Sequence, residues 1–186
     1  MIFGLDASNY SGPLTGDQAR CIWDAGYLFA IVGAQRPAVS RQQLPALKEV
    51  GFELGVYYYP RYNDGDLWRV DNALSLAREF DVERVWDDIE WNEDIQGLRP
   101  GPAIVLPALR DRLNQVRAGG RAVGIYTGES YWKTMAGNTA EFGDLSLWHA
   151  WYYNDGHVPD FEGFRPYGGW NRPTIWQYKG TTPLCG

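Results

Sequence analysis

The chain has 186 residues, 22% charged and 45% hydrophobic, so it is long enough for one well-buried core and too apolar to be disordered. Acidic residues outnumber basic ones 23 to 17, and the net charge of −6 argues against a general nucleic-acid backbone binder, which needs a positive field. No apolar run approaches the roughly 20 residues of a membrane span, whereas 9 Trp, 12 Tyr and 7 Phe exceed what a core needs and suggest a surface for stacking on carbohydrate.

Strand-like and helix-like segments alternate from the start. Met1-Ile2-Phe3-Gly4-Leu5-Asp6 opens directly on a strand expected over 3–8, with no basic and apolar leader before it. Ser11-Gly12-Pro13 turns the chain into a helix over 17–25, with Ala19, Ile22 and Trp23 available for one face. Leu28-Phe29-Ala30-Ile31-Val32-Gly33 is a continuous apolar run, as a strand buried on both faces should be. A helix over 41–50 stops at Gly51, and the strand over 53–59 ends at Pro60. Asp64-Gly65-Asp66 opens a long helix over 66–80, which leads to a strand over 84–91. A helix over 103–118 stops at Gly119-Gly120, followed by a strand over 122–127 and a short helix over 130–136. Strands over 145–152 and 174–178 complete the series, with only loop between them.

Five βα units followed by strands with little helix predict an α/β domain over 1–186 built on a parallel sheet, closed or nearly so. The first strand is followed by Asp6-Ala7-Ser8-Asn9-Tyr10-Ser11-Gly12, which lacks the glycine spacing of a phosphate loop, so a nucleotide-binding sheet loses its main support. A barrel shortened in its last third is the better reading, and it puts function at the C-terminal ends of the strands.

The densest chemistry is Trp86-Asp87-Asp88-Ile89-Glu90-Trp91. Side chains alternate along a strand, so Asp88 and Glu90 share one face while Asp87 and Ile89 share the other. Two acids on one face of a buried strand are costly unless they are hydrogen-bonded or used, and Asp6 at the end of the first strand is placed to reach the same space. Three such groups would keep one protonated near neutral pH as a general acid. The plainer alternative is a solvated acidic strand end or a set of helix-capping carboxylates. Asp88 and Glu90 have Cβ atoms about 6.6 Å apart, a spacing that straddles the retaining and inverting glycosidase geometries. Ser8, Ser11 and Ser130 have no evident His–Asp partners, and a carboxylate-held divalent metal remains a weaker alternative. Cys21 and Cys185 fit no zinc or redox spacing; they read as two free thiols, with a disulfide joining the ends of the domain as the alternative. His149 and His157 read as packed or solvated residues, and Asn9-Tyr10-Ser11 matches a glycosylation tripeptide.

Seven segments in strand order resemble the glycoside hydrolase family 25 lysozymes (N-acetylmuramidases) over almost the whole chain. They are Gly4-Leu5-Asp6-Ala7-Ser8, Phe29-Ala30-Ile31-Val32-Gly33-Ala34, Gly55-Val56-Tyr57-Tyr58-Tyr59, Asp88-Ile89-Glu90, Gly124-Ile125-Tyr126-Thr127, Leu147-Trp148-His149-Ala150-Trp151-Tyr152 and Ile175-Trp176-Gln177-Tyr178. The chitinase pattern, which also contains DxE, fails because Trp86 stands two before Asp88. The resemblance implies a TIM-like, flattened (β/α)5β3 barrel that cleaves the β-1,4 bond between N-acetylmuramic acid and N-acetylglucosamine with retention. It implies Glu90 as general acid and Asp6 and Asp88 as groups that orient the acetamido substituent or stabilise the oxocarbenium-like transition state. Tyr57, Tyr126, Trp148 and Tyr152 are expected to line the groove, with Trp176 and Gln177 as further substrate-binding residues. Expected with it are no cofactor or metal, a peptidoglycan partner, no nucleic acid or membrane, and a monomer unless the chain joins a virion assembly. The site of action is then outside the cell or at the wall, as for a phage lysin or a mature secreted enzyme. In the family a last strand after the Trp-Gln-Tyr segment carries another active-site Asp. Here Cys185-Gly186 come before that position, and Asp155 and Asp160 lie in an earlier loop, so the last strand is expected to be missing or truncated. A glycan-binding or virion structural module on the same barrel is the competing expectation.

Overall fold

The computed structural model describes residues 2–62, 67–91, 97, 99–153 and 155–185, with the side chain of Asn9 excepted. The turn expected over 64–66 lies outside the described residues. The strands are β1 (Phe3–Ala7), β2 (Tyr27–Gly33), β3 (Glu53–Tyr58), β4 (Arg84–Ile89), β5 (Ala122–Thr127), β6 (Ser146–Ala150) and β7 (Ile175–Gln177). The helices between them are α1 (Gly16–Asp24), α2 (Pro37–Val50), α3 (Leu67–Glu79), α4 (Pro102–Ala118) and α5 (Glu129–Met135). All seven strands are parallel and lie side by side in chain order, so the sheet curls into a flattened, incompletely closed barrel with the helices on its convex face. Among the described residues no eighth strand joins β7 to β1.

Local chemistry accounts for most boundaries. Thr15 and Gln18 form a reciprocal cap on α1: the Gln18 N–H donates to Thr15 Oγ1 at 3.2 Å and the Thr15 N–H donates to Gln18 Oε1 at 3.0 Å. α2 begins four residues before the expected position because Pro37, at its first turn, needs no N–H partner there and already has a helical φ. It ends at Gly51 with φ 111°, a left-handed cap that a side chain would strain. β6 and β7 are shorter at both ends than the sequence pattern predicts, although the Trp151 N–H still donates to the Gln177 carbonyl at 3.1 Å and the Thr174 N–H to the Leu147 carbonyl at 2.8 Å.

Strand alternation divides the interior into two cores. Val32, Val56, Val85, Ile125 and Leu147 face outward against Leu44, Leu47, Leu74, Leu109 and Leu113 of the helices. Ile31, Trp86, Tyr126 and Trp148 fill the barrel itself, flanked by Phe29, Tyr57 and Ile175. Trp148 meets Tyr126, Trp86 and Tyr57 edge-on, with ring centroids 4.5, 5.8 and 6.0 Å away. Gly124 makes this possible: a Cβ there would stand 2.2 Å from the Trp86 ring. The lower end of the barrel is closed by Arg84, which donates to Ser146 Oγ and lies over Trp86.

Among its described residues the connection from β6 to β7 carries only a 3₁₀ turn (Phe161–Gly163) and an isolated bridge between Tyr167 and Trp170. Aromatic packing stands where the earlier units have helices. His149, buried on the outer face of β6, packs against Phe164, Tyr167 and Trp176 and shares a 2.9 Å hydrogen bond with the Tyr167 hydroxyl. The two cysteines correct the free-thiol reading. Cys21 of α1 is disulfide-bonded to Cys185, their Cα atoms 6.0 Å apart across 164 positions of sequence. The curl of the sheet sets β7 and α1 near one another, a proximity that sequence spacing alone does not carry.

Candidate active site

The acids of the DxE segment separate according to strand parity. Asp87 points out toward the helices, fully buried, and accepts from Arg112 Nε at 2.7 Å, from Arg112 Nη2 at 3.1 Å and from the Tyr58 hydroxyl at 2.6 Å. Asp88 and Glu90 point into the barrel at its C-terminal end, above the aromatic floor. Asp88 stands opposite Tyr126 in the β4–β5 register, and Tyr126 stands opposite Trp148 in the β5–β6 register. The end of β4 is pinned by Thr127, whose hydroxyl donates to the Ile89 carbonyl at 2.8 Å. Asp6 comes from β1 and Gln177 from β7, the two strands at the open seam, and the Gln177 amide bridges it by donating to Asp6 Oδ2 at 2.7 Å. These groups line one cavity of about 1790 Å³, which continues outward along the β1 and β7 edges.

The electrostatics of this cavity favour retained protons. Burial pushes Asp88 well above the ordinary carboxylate range, and the charges of Glu90, Asp87 and Asp6 push it further. Only 5% of Asp88 is exposed, and its Oδ1 finds no hydrogen-bond partner among the described residues. Glu90 is raised by burial and then by Asp6. Asp6 is raised by burial, with the Gln177 hydrogen bond pulling the other way. Burial and the same acids raise Tyr57 and Tyr126, so both hydroxyls remain donors. A carboxyl group that keeps its proton near a carboxylate that has lost its own is the pairing that glycosidic bond cleavage uses. No group of three or more His, Cys, Asp or Glu residues is arranged to hold a metal ion among the described residues.

The remaining candidates fall in three places. Tyr57 is half-buried against Trp148, while Tyr126 and Trp148 are buried in the barrel floor. Tyr152, half exposed beyond β6, and Tyr126 both donate to Gln177 Oε1, at 2.6 and 2.7 Å. Trp176 is turned away from the acids. Its neighbour Gln177 faces inward, so strand alternation sends the indole to the outer face, where it packs on His149 and Phe164 and donates to the Trp151 carbonyl at 3.1 Å.

Residues 3–178 match the family model of lysozyme-like protein 1. A probable family 25 lysozyme of Dictyostelium discoideum, lysozyme 4, is 30% identical over 193 residues, covering 98% of this chain and 85% of its own. The chain belongs to the glycoside hydrolase family 25 lysozymes. A second Dictyostelium discoideum relative, probable family 25 lysozyme 2, is 27% identical across 100% of this chain and 87% of its own. The muramidase of Trichobolus zukalii shares the fold, with a TM-score of 0.75 at 23% identity over 96% of this chain and 87% of that one.

This family 25 lysozyme is a glycoside hydrolase, and two features, one beside the inner-face acids and one on the outer face of β4, were given no role by the motifs. Tyr59, just past β3, is raised by burial and then by the charges of Glu90 and Asp88, so its hydroxyl keeps its proton beside the acids. The signal was available, since Tyr59 has the same strand parity as Tyr57. The Arg112–Asp87–Tyr58 cluster had no such signal, because Arg112 lies 25 residues from Asp87 on α4 and meets it only through packing.

Proposed function

We propose that this lysozyme cleaves the β-1,4 bond between N-acetylmuramic acid and N-acetylglucosamine in bacterial peptidoglycan, with Glu90 as general acid and net retention at the anomeric carbon. The observation that carries the reading is the pair Asp88 and Glu90 on one inner face, raised by burial and facing Asp6 across the mouth of the cavity. Glu90 gives its proton to the glycosidic oxygen as the C1–O bond breaks. Asp6 supplies negative charge to the oxocarbenium-like transition state, and Asp88, which burial and its acidic neighbours keep protonated, orients the acetamido group beside it. Retention requires that C1 first bond on its opposite face, to a carboxylate or to the substrate's own acetamido oxygen, and that water, giving a proton to Glu90, then displace that oxygen. Tyr57 and Tyr152 offer ring edges and hydroxyls along the groove, and Trp148 and Tyr126 support them from below. With six net negative charges on the chain, affinity for an anionic wall rests on stacking and hydrogen bonds rather than on long-range attraction. The reading also places the lysozyme outside the cell or at the wall, acting as a single domain.

Mass analysis of peptidoglycan fragments tests it. Wild type is expected to release muropeptides with reducing N-acetylmuramic acid ends, and Glu90→Gln to release almost none. Reducing N-acetylglucosamine ends, or fragments produced equally by both proteins, would overturn it. A second reading, a glycan-binding module, is favoured by one observation: across the open seam Asp6 is met by an amide, Gln177, and by no further carboxylate from the β7 side among the described residues. Binding that Glu90→Gln leaves unchanged, with turnover in neither protein, would select that reading.

A further inference from the structure

The Gln177 amide sits in a hydrogen-bond arrangement whose polarity is tied to the charge on Asp6. Its Oε1 accepts from two hydroxyls, Tyr126 at 2.7 Å and Tyr152 at 2.6 Å, and its Nε2 donates to Asp6 Oδ2 at 2.7 Å. Both tyrosines stay protonated because burial and the neighbouring acids raise them. Turning the amide over would put Oε1 against the Asp6 carboxylate, two acceptors in contact, unless Asp6 carried a proton. Amide orientation and the protonation of Asp6 are therefore coupled, and two donors on Oε1 hold the orientation that suits a charged Asp6.

We infer that Gln177 is a positioning residue: Tyr126 and Tyr152 lock its amide so that the NH2 group holds Asp6 as a charged acceptor across the barrel mouth from Glu90, and that charge keeps the proton on Glu90. The inference rests on the reading of Glu90 as general acid and adds how its protonation is maintained. The titratable groups facing Asp6 are Asp88 and Glu90 from β4, Tyr57 from β3 and Tyr152 from beyond β6. Tyr59 and Tyr126 also face Glu90. Among the described residues the cations lining the cavity are Arg84, engaged at the other end with Ser146 and Trp86, and Arg172 and Lys179, which flank β7. Burial is the larger cause of the raised Glu90, and among the described residues the charge of Asp6 adds to it, so whatever holds that charge contributes to the proton affinity of the acid.

Carbon-13 titration of the carboxyl groups in the free protein tests this without any need for turnover. In Gln177→Met the Asp6 titration is expected to rise and the Glu90 titration to fall, each by about one pH unit. Tyr152→Phe, at a half-exposed position that spares the core, is expected to shift both in the same directions by less. Asp6→Asn should lower Glu90 by itself, and adding Gln177→Met should lower it no further. The alkaline limb of kcat/KM should move with Glu90, whereas a purely sugar-binding Gln177 would raise KM and leave the limb in place. Unchanged Asp6 and Glu90 titrations in Gln177→Met, or a further shift in the double variant, would overturn the inference. Absence of turnover in wild type would overturn the muramidase reading instead, with the titrations still readable.

Discussion

Asp87 and Asp88 are adjacent, both buried, and electrostatically opposite. Asp87 faces the helices and is met by a bidentate arginine and a tyrosine hydroxyl, so its charge is compensated where it sits. Asp88 faces the barrel, shares its space with Glu90 and Asp6, and has one oxygen with no partner among the described residues. The first arrangement holds β4 to α4 and α4 to the sheet. The second leaves free energy in the site, available to a substrate that brings donors of its own. Burial of a carboxylate therefore does not mark a catalytic position; burial without compensation does.

The largest expected effect sharpens this contrast on the inner face. Glu90→Gln should reduce the rate of reducing-end release by about a thousandfold, with thermal unfolding no lower than in wild type. A loss of activity accompanied by unfolding would place Glu90 with Asp87 as a structural acid. On the outer face, Arg112→Met leaves Asp87 buried with only Tyr58, and urea unfolding should show a loss of about 3–5 kcal/mol. If that variant is as stable as wild type, the ion pair is not what secures β4.

A third buried ionisable group tests the sign of the argument. Burial lowers His149 to about 4, only partly opposed by Glu129, so the folded state favours its neutral form. The associated stability is present above an ordinary histidine's pKa of about 6.5 and is lost as pH falls toward 4, by up to about 3 kcal/mol. Unfolding measured at pH 7 and pH 4 should show this acid-side loss in wild type and a smaller one in His149→Gln. The inner-face acids act in the opposite sense, because their folded pKa values are raised: their penalty is absent at low pH and grows as pH rises through those values. The smallest predicted effect follows. Asp88→Asn should stabilise the fold at pH 7 by about 1 kcal/mol while impairing turnover, and a destabilised Asp88→Asn would break the comparison on which these predictions rest.

Much of this architecture was legible in the sequence for local reasons. The Thr15–Gln18 cap, Gly51 after α2 and the apolar run of β2 each carry their physical cause within a few residues. The inward direction of Asp88 and Glu90 was legible too, since alternation needs only a strand. Gln177 and Trp176 were not separable, because a three-residue strand at a sheet edge offers no period by which to judge which face is in. The Arg112–Asp87 pair and the Cys21–Cys185 bridge join elements far apart in sequence, and no local pattern encodes such meetings.

By itself the sequence determined the parallel α/β order, the family and the three acids, because strand period and ordered motifs are properties of neighbouring residues. Only the tertiary structure decided that the two cysteines pair, that Trp176 belongs to the outer packing, and that Gln177 donates to Asp6 across the open seam. Those outcomes depend on how a seven-stranded sheet curls and which edges it brings together, and distance in space is not a function of distance along the chain.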